Sequence, residues 1–188
     1  GSIGKRHLGN LRQLGVTDLI AFDPRADRRA EVVSQFQVPT VETFEAGLAH
    51  KPQVVLVCTP TRLHLAQALL AAQAGCHLFI EKPISSTVEQ ADELVGLAKC
   101  NGLVLQIGHV ERFNPAWRAV AARVRRPRYI EAVRMSGYTF RSTDIGVVLD
   151  LMIHDLDLVL STVRSDVVEI DAIGSTVFGP HEDMAHAH

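Results

Sequence analysis

The sequence predicts an α/β protein, with a doubly wound parallel sheet followed by the start of an α+β domain whose sheet is open and mostly antiparallel. Three observations lead to this prediction. Strand-like and helix-like segments alternate over the first 110 residues, the pattern of right-handed β-α-β crossovers. The run QVVLVCT is apolar and β-branched without interruption, which is typical of a buried parallel strand. The regular alternation of strand-like and helix-like segments ends after residue 110, so we predict domains at 1–115 and 116–188.

The elements of the first domain follow from periodicity and from their stop signals. Its strands are short apolar runs, predicted at Asp18–Asp23, Gln53–Thr59, His77–Lys82 and Leu103–Gly108. Its helices have apolar residues at helical spacing, predicted at Lys5–Leu14, Ala26–Phe36, Thr43–His50, Thr61–Ala74 and Thr87–Asn101. Gly15 is expected to stop the first helix, and Thr87 with Gln90 has the spacing of a capping box.

The second domain is predicted to mix helices and strands without regular alternation. Its elements are a helix at Asn114–Val124, a strand at Arg128–Ser136, a polar loop at 137–145, a helix at Val147–Val163 and a strand at Asp166–Val177. The tail Gly179–His188 is predicted to have no element of its own.

Composition and charge exclude several classes of protein. The chain has 188 residues with 19 basic and 21 acidic side chains, a net charge of −2, whereas nucleic-acid binders usually have a strong positive excess. The basic cluster Arg123, Arg125, Arg126 and Arg128 is therefore predicted to be a solvated loop. No apolar run approaches the ~20 residues of a membrane span, and three cysteines without metal-ligand spacing suit a cytoplasmic protein.

The first residues resemble the second half of a dinucleotide-binding turn. Gly1, Ser2, Ile3 and Gly4 fit the G-x-x-G that precedes a helix, where glycines let a pyrophosphate approach the backbone and the helix N-terminus supplies N–H groups. A cloning remnant at the first two residues is the alternative. Asp23 closes the next strand 19 residues after Gly4, close to the ~20 expected for a ribose ligand.

A carboxylate at Asp23 would accept both ribose hydroxyls and repel a 2′-phosphate, which favours NAD over NADP. Arg25, followed by Arg28 and Arg29, can soften that repulsion. The alternative is a turn aspartate before Pro24.

Polar residues also follow two predicted strands at the carboxyl edge of the sheet, where ligands of such folds bind. Thr59 and Pro60, with His64, follow one strand, and Glu81 and Lys82 follow the next. Pro83 restricts Lys82 to an extended backbone and so directs its side chain. A surface lysine is the alternative at this position.

The segment VVLDLMIHDLDLVLSTV combines an apolar surface with a polar stripe. Asp150, His154 and Asp157 recur at i, i+4 and i+7, which is one helical face. A carboxylate beside a histidine favours the imidazolium and suits a general base near neutral pH. The alternatives are a core ion pair and a metal site with Asp155. The angle of about 100° between successive helical residues disfavours metal, so we predict no metal site.

These segments, in this order, resemble the Gfo/Idh/MocA oxidoreductases: GSIGKRH, the strand-end Asp23, CTPTRLH, EKP and DLMIHDLD. The resemblance implies an N-terminal Rossmann domain, a C-terminal α/β domain with an open sheet, and hydride transfer between NAD(P) and a sugar or polyol carbon. It implies catalytic roles for Lys82, Asp150 and His154. It also makes Asn114 and Arg141 weaker candidates for substrate contact.

GHVERFNPA and FRSTDIGVVLDLMIHDLDLVL resemble more narrowly the bacterial members that oxidise C3 of an acetylated nucleotide sugar. The expected partners are then a sugar or nucleotide sugar and, at full length, further copies of the chain. A non-catalytic sensor of NAD or of a nucleotide sugar is the alternative. Because the first strand and first glycine of the turn are missing and family members are longer, we expect a fragment that is insoluble or molten alone.

Overall fold

A computed structural model describes residues 1–137, 144–163 and 165–188. These residues form two compact units, Gly1–Gln106 and Ile107–His188. The domains predicted from the sequence, 1–115 and 116–188, stay a prediction beside this division.

The first unit contains short parallel strands in two sheets. β1 (Ala21–Phe22) pairs with β2 (Thr40–Val41). A three-stranded sheet has the order β3 (Val54–Val57), β4 (His77–Ile80) and β5 (Leu105–Ile107), whose last residue crosses the unit boundary. In the β3–β4 pair Val54 lies opposite His77 and Val57 opposite Ile80. The parallel sheet with flanking helices confirms the predicted fold class, while β2 was not foreseen.

Helices connect these strands as the sequence predicts. They are α1 (Ser2–Gln13), α2 (Ala26–Phe36), α3 (Phe44–Leu48), α4 (His64–Gln73), which follows a 3-10 turn at Thr61–Leu63, and α5 (Val88–Cys100). Thr87 Oγ accepts the N–H of Gln90 at 3.3 Å, so the predicted cap is confirmed. Gly15 has a φ of +82°, the left-handed conformation that ends a helix at low cost in glycine.

The core of the first unit lies where α4 packs on β3, β4 and α5. Leu78 and Ile80 of β4 and Leu94 of α5 are all buried. On α4 the buried residues are mainly alanines, Ala68, Ala71 and Ala72, whose small side chains allow close approach of helix and sheet. This packing fixes the carboxyl ends of β3 and β4, from which the candidate site is built.

The second unit contains α6 (Pro115–Ala121), a π-helical turn at Val148–Met152, α7 (Ile153–Thr162), and the strands β6 (Ala172–Ser175) and β7 (Met184–Ala187). A 3-10 turn at Val110–Phe113 precedes α6. The π turn continues directly into α7, so the predicted helix Val147–Val163 is present with a wider first turn.

Two predictions for this unit are wrong. The segment Arg128–Ser136 forms no strand, because its alternating pattern gives only a propensity and no strand of the described residues pairs with it. The tail Gly179–His188 does contain a strand, since β7 pairs antiparallel with β6. Asp183 closes this hairpin by accepting the N–H groups of Val177, Phe178 and Gly179, a local contact that periodicity does not reveal.

Within the described ranges, none of the helices has both the length and the apolar character that crossing a membrane requires.

Candidate functional site

The start of α1 lies beside the ends of two strands. A Cβ added at Gly4 would lie 3.6 Å from the Cβ of Cys58, directly after β3. The nitrogen of Gly1 lies 3.4 Å from Asp23 Oδ2, directly after β1. The helix begins at Ser2, so the first N–H groups of α1, through Ile3, are those of a helix N-terminus, where anions bind.

Asp23 is held in a defined orientation beside this helix start. Its Oδ1 accepts the backbone N–H of Arg25 at 3.0 Å, and its Oδ2 lies 3.7 Å from Nη1 of Arg28. The side chain is 15% exposed. The structure therefore brings Asp23 and the G-x-x-G segment together, as the sequence spacing suggests.

The arginines after Asp23 have different partners. Arg25 forms a bidentate pair with Asp27, and this guanidinium lowers the pKa of the Asp27 carboxyl to about 2. Arg29 donates to the carbonyl oxygens of Asp23 and Pro24. Only Arg28 approaches the Asp23 carboxylate with its side chain, and at 3.7 Å it leaves that carboxylate available as an acceptor.

His64 connects the turn after β3 to the turn after β4. Its Nδ1 lies 2.8 Å from the carbonyl oxygen of Pro83, and its Nε2 lies 2.9 Å from that of Thr59. The residue is only 1% exposed, so its ring holds the two turns. Thr59 also donates from its hydroxyl to Gln67 Oε1 at 3.1 Å. Pro60 begins the 3-10 turn that leads into α4.

Glu81 is a buried carboxylate with partners on both oxygens. Oε1 lies 2.6 Å from Nε2 of His7 on α1, and Oε2 accepts the backbone N–H of Lys82 at 3.3 Å. The edge of the His7 ring also contacts Phe79, with centroids 5.1 Å apart. Sequence reasoning missed His7, because its partner is 74 residues away and its place on α1 has no special spacing.

Lys82 follows β4 and its backbone is fixed on both sides. Its own N–H is bonded to Glu81 Oε2, and the carbonyl oxygen of the next residue, Pro83, lies 2.8 Å from Nδ1 of His64. The lysine side chain is half-buried. The backbone thus directs Lys82 from the carboxyl edge of the sheet, the edge at which the Rossmann fold binds ligands.

Cys58 lies directly after β3 in the same region. Burial raises the pKa of its thiol to about 12, and the negative charge of Glu81 adds to the shift. A thiol with so high a pKa stays protonated at neutral pH and is therefore unreactive as a nucleophile.

In the second unit, Asp150 lies in the π turn and His154 in the first turn of α7. Their i, i+4 spacing places them on one face of a uniform α-helix, and the π turn changes the angle between these two residues. Next to His154, Asp155 pairs with Arg134 and Asp157 pairs with Arg112. Both arginines were missed, because no local pattern relates them to the helix.

The two weaker candidates have different outcomes. Asn114 caps α6, since its Oδ1 accepts the N–H of Ala116 at 2.9 Å while its Nδ2 donates to Glu111. Its contact with substrate stays a prediction. Arg141 lies outside the described residues. Among the side chains described, no three metal-binding groups converge, and the carboxylates of Asp155 and Asp157 are both bonded to arginines.

Comparison with known proteins gives a consistent result. Residues 1–109 match the model of the Gfo/Idh/MocA oxidoreductases, described as an oxidoreductase family with an NAD-binding Rossmann fold. The UDP-N-acetylglucosamine 3-dehydrogenase of Acidithiobacillus ferrooxidans is 41% identical over 100% of this chain and 61% of its own. The chain thus spans about three fifths of the length of that relative.

Solved structures agree with this relationship. A structure of the same Acidithiobacillus enzyme superposes with a TM-score of 0.88 at 39% identity, over 100% of this chain and 62% of its own. The WlbA dehydrogenase of Bordetella pertussis, in complex with NADH and UDP-GlcNAcA, has a TM-score of 0.83 at 22% identity over 100% of this chain and 63% of its own, which supports the fold alone. The matched motifs, the parallel sheet and the family model together show that the chain belongs to the Gfo/Idh/MocA oxidoreductase family.

Proposed function

We propose that this chain is the NAD-binding part of a dehydrogenase that oxidises a hydroxyl-bearing carbon of a sugar or nucleotide sugar. The observation that carries the cofactor part is the position of Asp23, whose carboxylate meets the start of α1 at the end of β1. UDP-N-acetylglucosamine, oxidised at C3, is the first substrate to test, because a relative of that name is 41% identical over the whole chain.

NAD is preferred over NADP in this proposal. The Asp23 carboxylate has one oxygen bonded to the Arg25 N–H, and its other oxygen lies 3.4 Å from the Gly1 nitrogen and 3.7 Å from Nη1 of Arg28. It can accept ribose hydroxyls, and its charge repels a 2′-phosphate. Because Arg25 is paired with Asp27, that guanidinium offers less compensation to a phosphate than its sequence position suggests.

The catalytic roles rest on the family motif. When bound, NAD supplies a nicotinamide ring that accepts the hydride. His154 takes the proton of the substrate hydroxyl as general base, and Asp150 orients His154. Lys82 hydrogen-bonds a substrate oxygen and stabilises the negative charge that develops there. The fixed backbone on both sides of Lys82 supports this role, since a charge-stabilising group works only when its position is set in advance.

The test mixes the purified full-length protein with NAD and, separately, UDP-N-acetylglucosamine, UDP-glucose and free N-acetylglucosamine, and follows the near-ultraviolet absorbance of NADH. We expect NADH with UDP-N-acetylglucosamine. Binding of NAD without NADH from any of the three sugars would instead support a sensor. Replacing Lys82 by Ala supplies the matched inactive control.

A further inference from the structure

Two arginine–aspartate pairs hold α7 to other segments of the second unit. Nε and Nη2 of Arg112 donate to the two oxygens of Asp157 at 2.7 and 2.6 Å. Nε and Nη2 of Arg134 donate to the two oxygens of Asp155, both at 2.9 Å. Both pairs are bidentate, the geometry that gives an arginine–carboxylate contact its strength and its directionality.

These pairs differ from ordinary surface ion pairs. The side chain of Asp157 is only 10% exposed and that of Asp155 is 20% exposed, whereas Arg112 is 51% and Arg134 is 33% exposed. Water and salt therefore screen the carboxylate ends of the pairs less than open surface charges. Nδ1 of His109 lies 3.8 Å from Asp157 as well. In each pair the nearby carboxylate raises the pKa of the arginine, so both guanidinium groups stay charged.

The positions of the two aspartates on α7 determine what the pairs do. With about 100° between successive residues of an α-helix, Asp155 points about 100° to one side of His154. By the same spacing Asp157 points about 60° to the other side. The two pairs therefore hold opposite flanks of the helix. Rotation of α7 about its axis in either direction stretches one of them.

The turn before α7 makes such restraint necessary. Val148–Met152 forms a π turn, which is wider than an α turn and is usually an isolated feature within a helix. A change of this turn to α geometry would rotate everything that follows, including His154. The N-terminal side of α7 therefore does not by itself fix where His154 points.

We propose that Arg112 and Arg134 are positioning residues, whose paired contacts with Asp157 and Asp155 fix the rotation of α7 and hence the direction of His154. The pairs reach α7 from sequence distances of 45 and 21 residues, so they tie the helix to two separate segments. The catalytic consequence rests on the function proposed above, whereas the orientation of His154 does not.

The first experiment measures orientation without substrate. The Cε1–Hε1 resonance of His154, assigned with a His154→Gln variant, is recorded at one pH in the wild type, Arg112→Gln, Asp157→Asn and the double variant. We expect similar shifts of this resonance in the two single variants and no further shift in the double variant, because all three remove the same contact. Independent, additive shifts, or none, would overturn the proposal.

The second experiment measures catalysis in the same variants. Because a misplacement of about 1 Å can cost about 10²-fold in rate, we expect kcat to fall about 10- to 100-fold, with an unchanged KM for NAD. Arg112→Lys keeps the positive charge but cannot form the bidentate contact. We therefore expect it to show the same fall in kcat, and to fold even if Arg112→Gln does not. Full activity of Arg112→Lys would contradict the proposal.

Arg118→Gln is the matched control. Arg118 lies on α6 and is exposed, and its side chain forms no hydrogen bond or ion pair with the residues that the structure describes, so both readouts should stay at wild-type values. If the wild type transfers no hydride, the proposed function fails while the resonance of His154 still tests the positioning role. If the wild type is active but the Arg112 and Asp157 variants behave like Arg118→Gln in both experiments, the positioning role is wrong while the proposed function stands.

Discussion

Removal of the negative charge at Asp23 should change which cofactor the protein selects. Asp23→Asn is the appropriate substitution, because its amide oxygen can still accept the Arg25 N–H that Asp23 Oδ1 accepts at 3.0 Å. The turn after β1 is therefore expected to keep its conformation while the charge disappears.

The magnitude follows from the charges involved. A 2′-phosphate has a charge near −2 at neutral pH, and two unit charges about 4 Å apart interact by about 1 kcal/mol even in water. Asp23 is 15% exposed, so the water value is a lower bound. Repulsion of about 2 kcal/mol corresponds to about 30-fold in affinity, and we expect the ratio of the NADP and NAD dissociation constants to fall by at least that factor.

The assay is isothermal titration calorimetry at low ionic strength. It measures the dissociation constants of NAD and NADP for the wild type and for each variant. Glu93→Gln is the control, since it removes an exposed carboxylate on α5 and leaves the pair between Arg25 and Asp27 intact. It should leave the ratio nearly unchanged. Tighter binding of NADP than NAD by the wild type, or equal ratios in the two variants, would refute the role given to Asp23.

Three further results are expected. Lys82→Ala and His154→Ala should each lower kcat by about 10²-fold or more with NAD affinity retained, and an active His154→Ala enzyme with an unchanged pH profile would remove His154 from the mechanism. Thr87→Ala removes the cap of α5 and should lower the free energy of unfolding by about 1 kcal/mol in urea titrations, whereas Thr87→Ser should not. The Cys58 thiol, whose pKa is raised to about 12, stays protonated until the pH nears that value. Mass spectrometry after alkylation at pH 8 should therefore find exposed Cys100 modified long before Cys58.

Local sequence signals predicted the first unit well. The bounds predicted for α2, Ala26–Phe36, agree with the structure, because its apolar spacing and its flanking prolines are all local. The same holds for β3, where an uninterrupted β-branched run leaves little choice. Strand β2, only two residues long, is too short for a period to be recognised.

The second unit was harder to predict because its determinants are distant in sequence. The antiparallel strand β7 depends on β6 and on the Asp183 carboxylate that closes the hairpin, neither of which is visible in the composition of the tail. Conversely, Arg128–Ser136 has a strand-like pattern and no strand beside it among the described residues. The π turn before α7 likewise leaves no recognisable spacing of apolar residues. The helix was therefore predicted, but the π geometry of its first turn was not.

The candidate site shows the same division. Asp23, Glu81 and Lys82 were found because they follow strands, and parallel strands bring their carboxyl ends to one edge. Their tertiary contacts were not predicted: His7, which meets Glu81, was overlooked, and so were the two backbone carbonyls that His64 contacts. A role of His64 in cofactor binding stays a prediction. Spacing along the chain reveals which groups reach the site, and tertiary contacts decide how they are held.

Transfer of a labelled hydride distinguishes oxidation of the sugar at C3 from mere binding of NAD. UDP-N-acetylglucosamine deuterated at C3 is incubated with the full-length protein and NAD, and the reduced cofactor is analysed by mass spectrometry. We expect NADH that carries one deuterium and a sugar that has lost it, with neither product formed by the Lys82→Ala variant. Reduced cofactor without deuterium, or a nucleotide sugar that keeps its label while NAD is bound, would show that the protein does not oxidise C3 of this sugar.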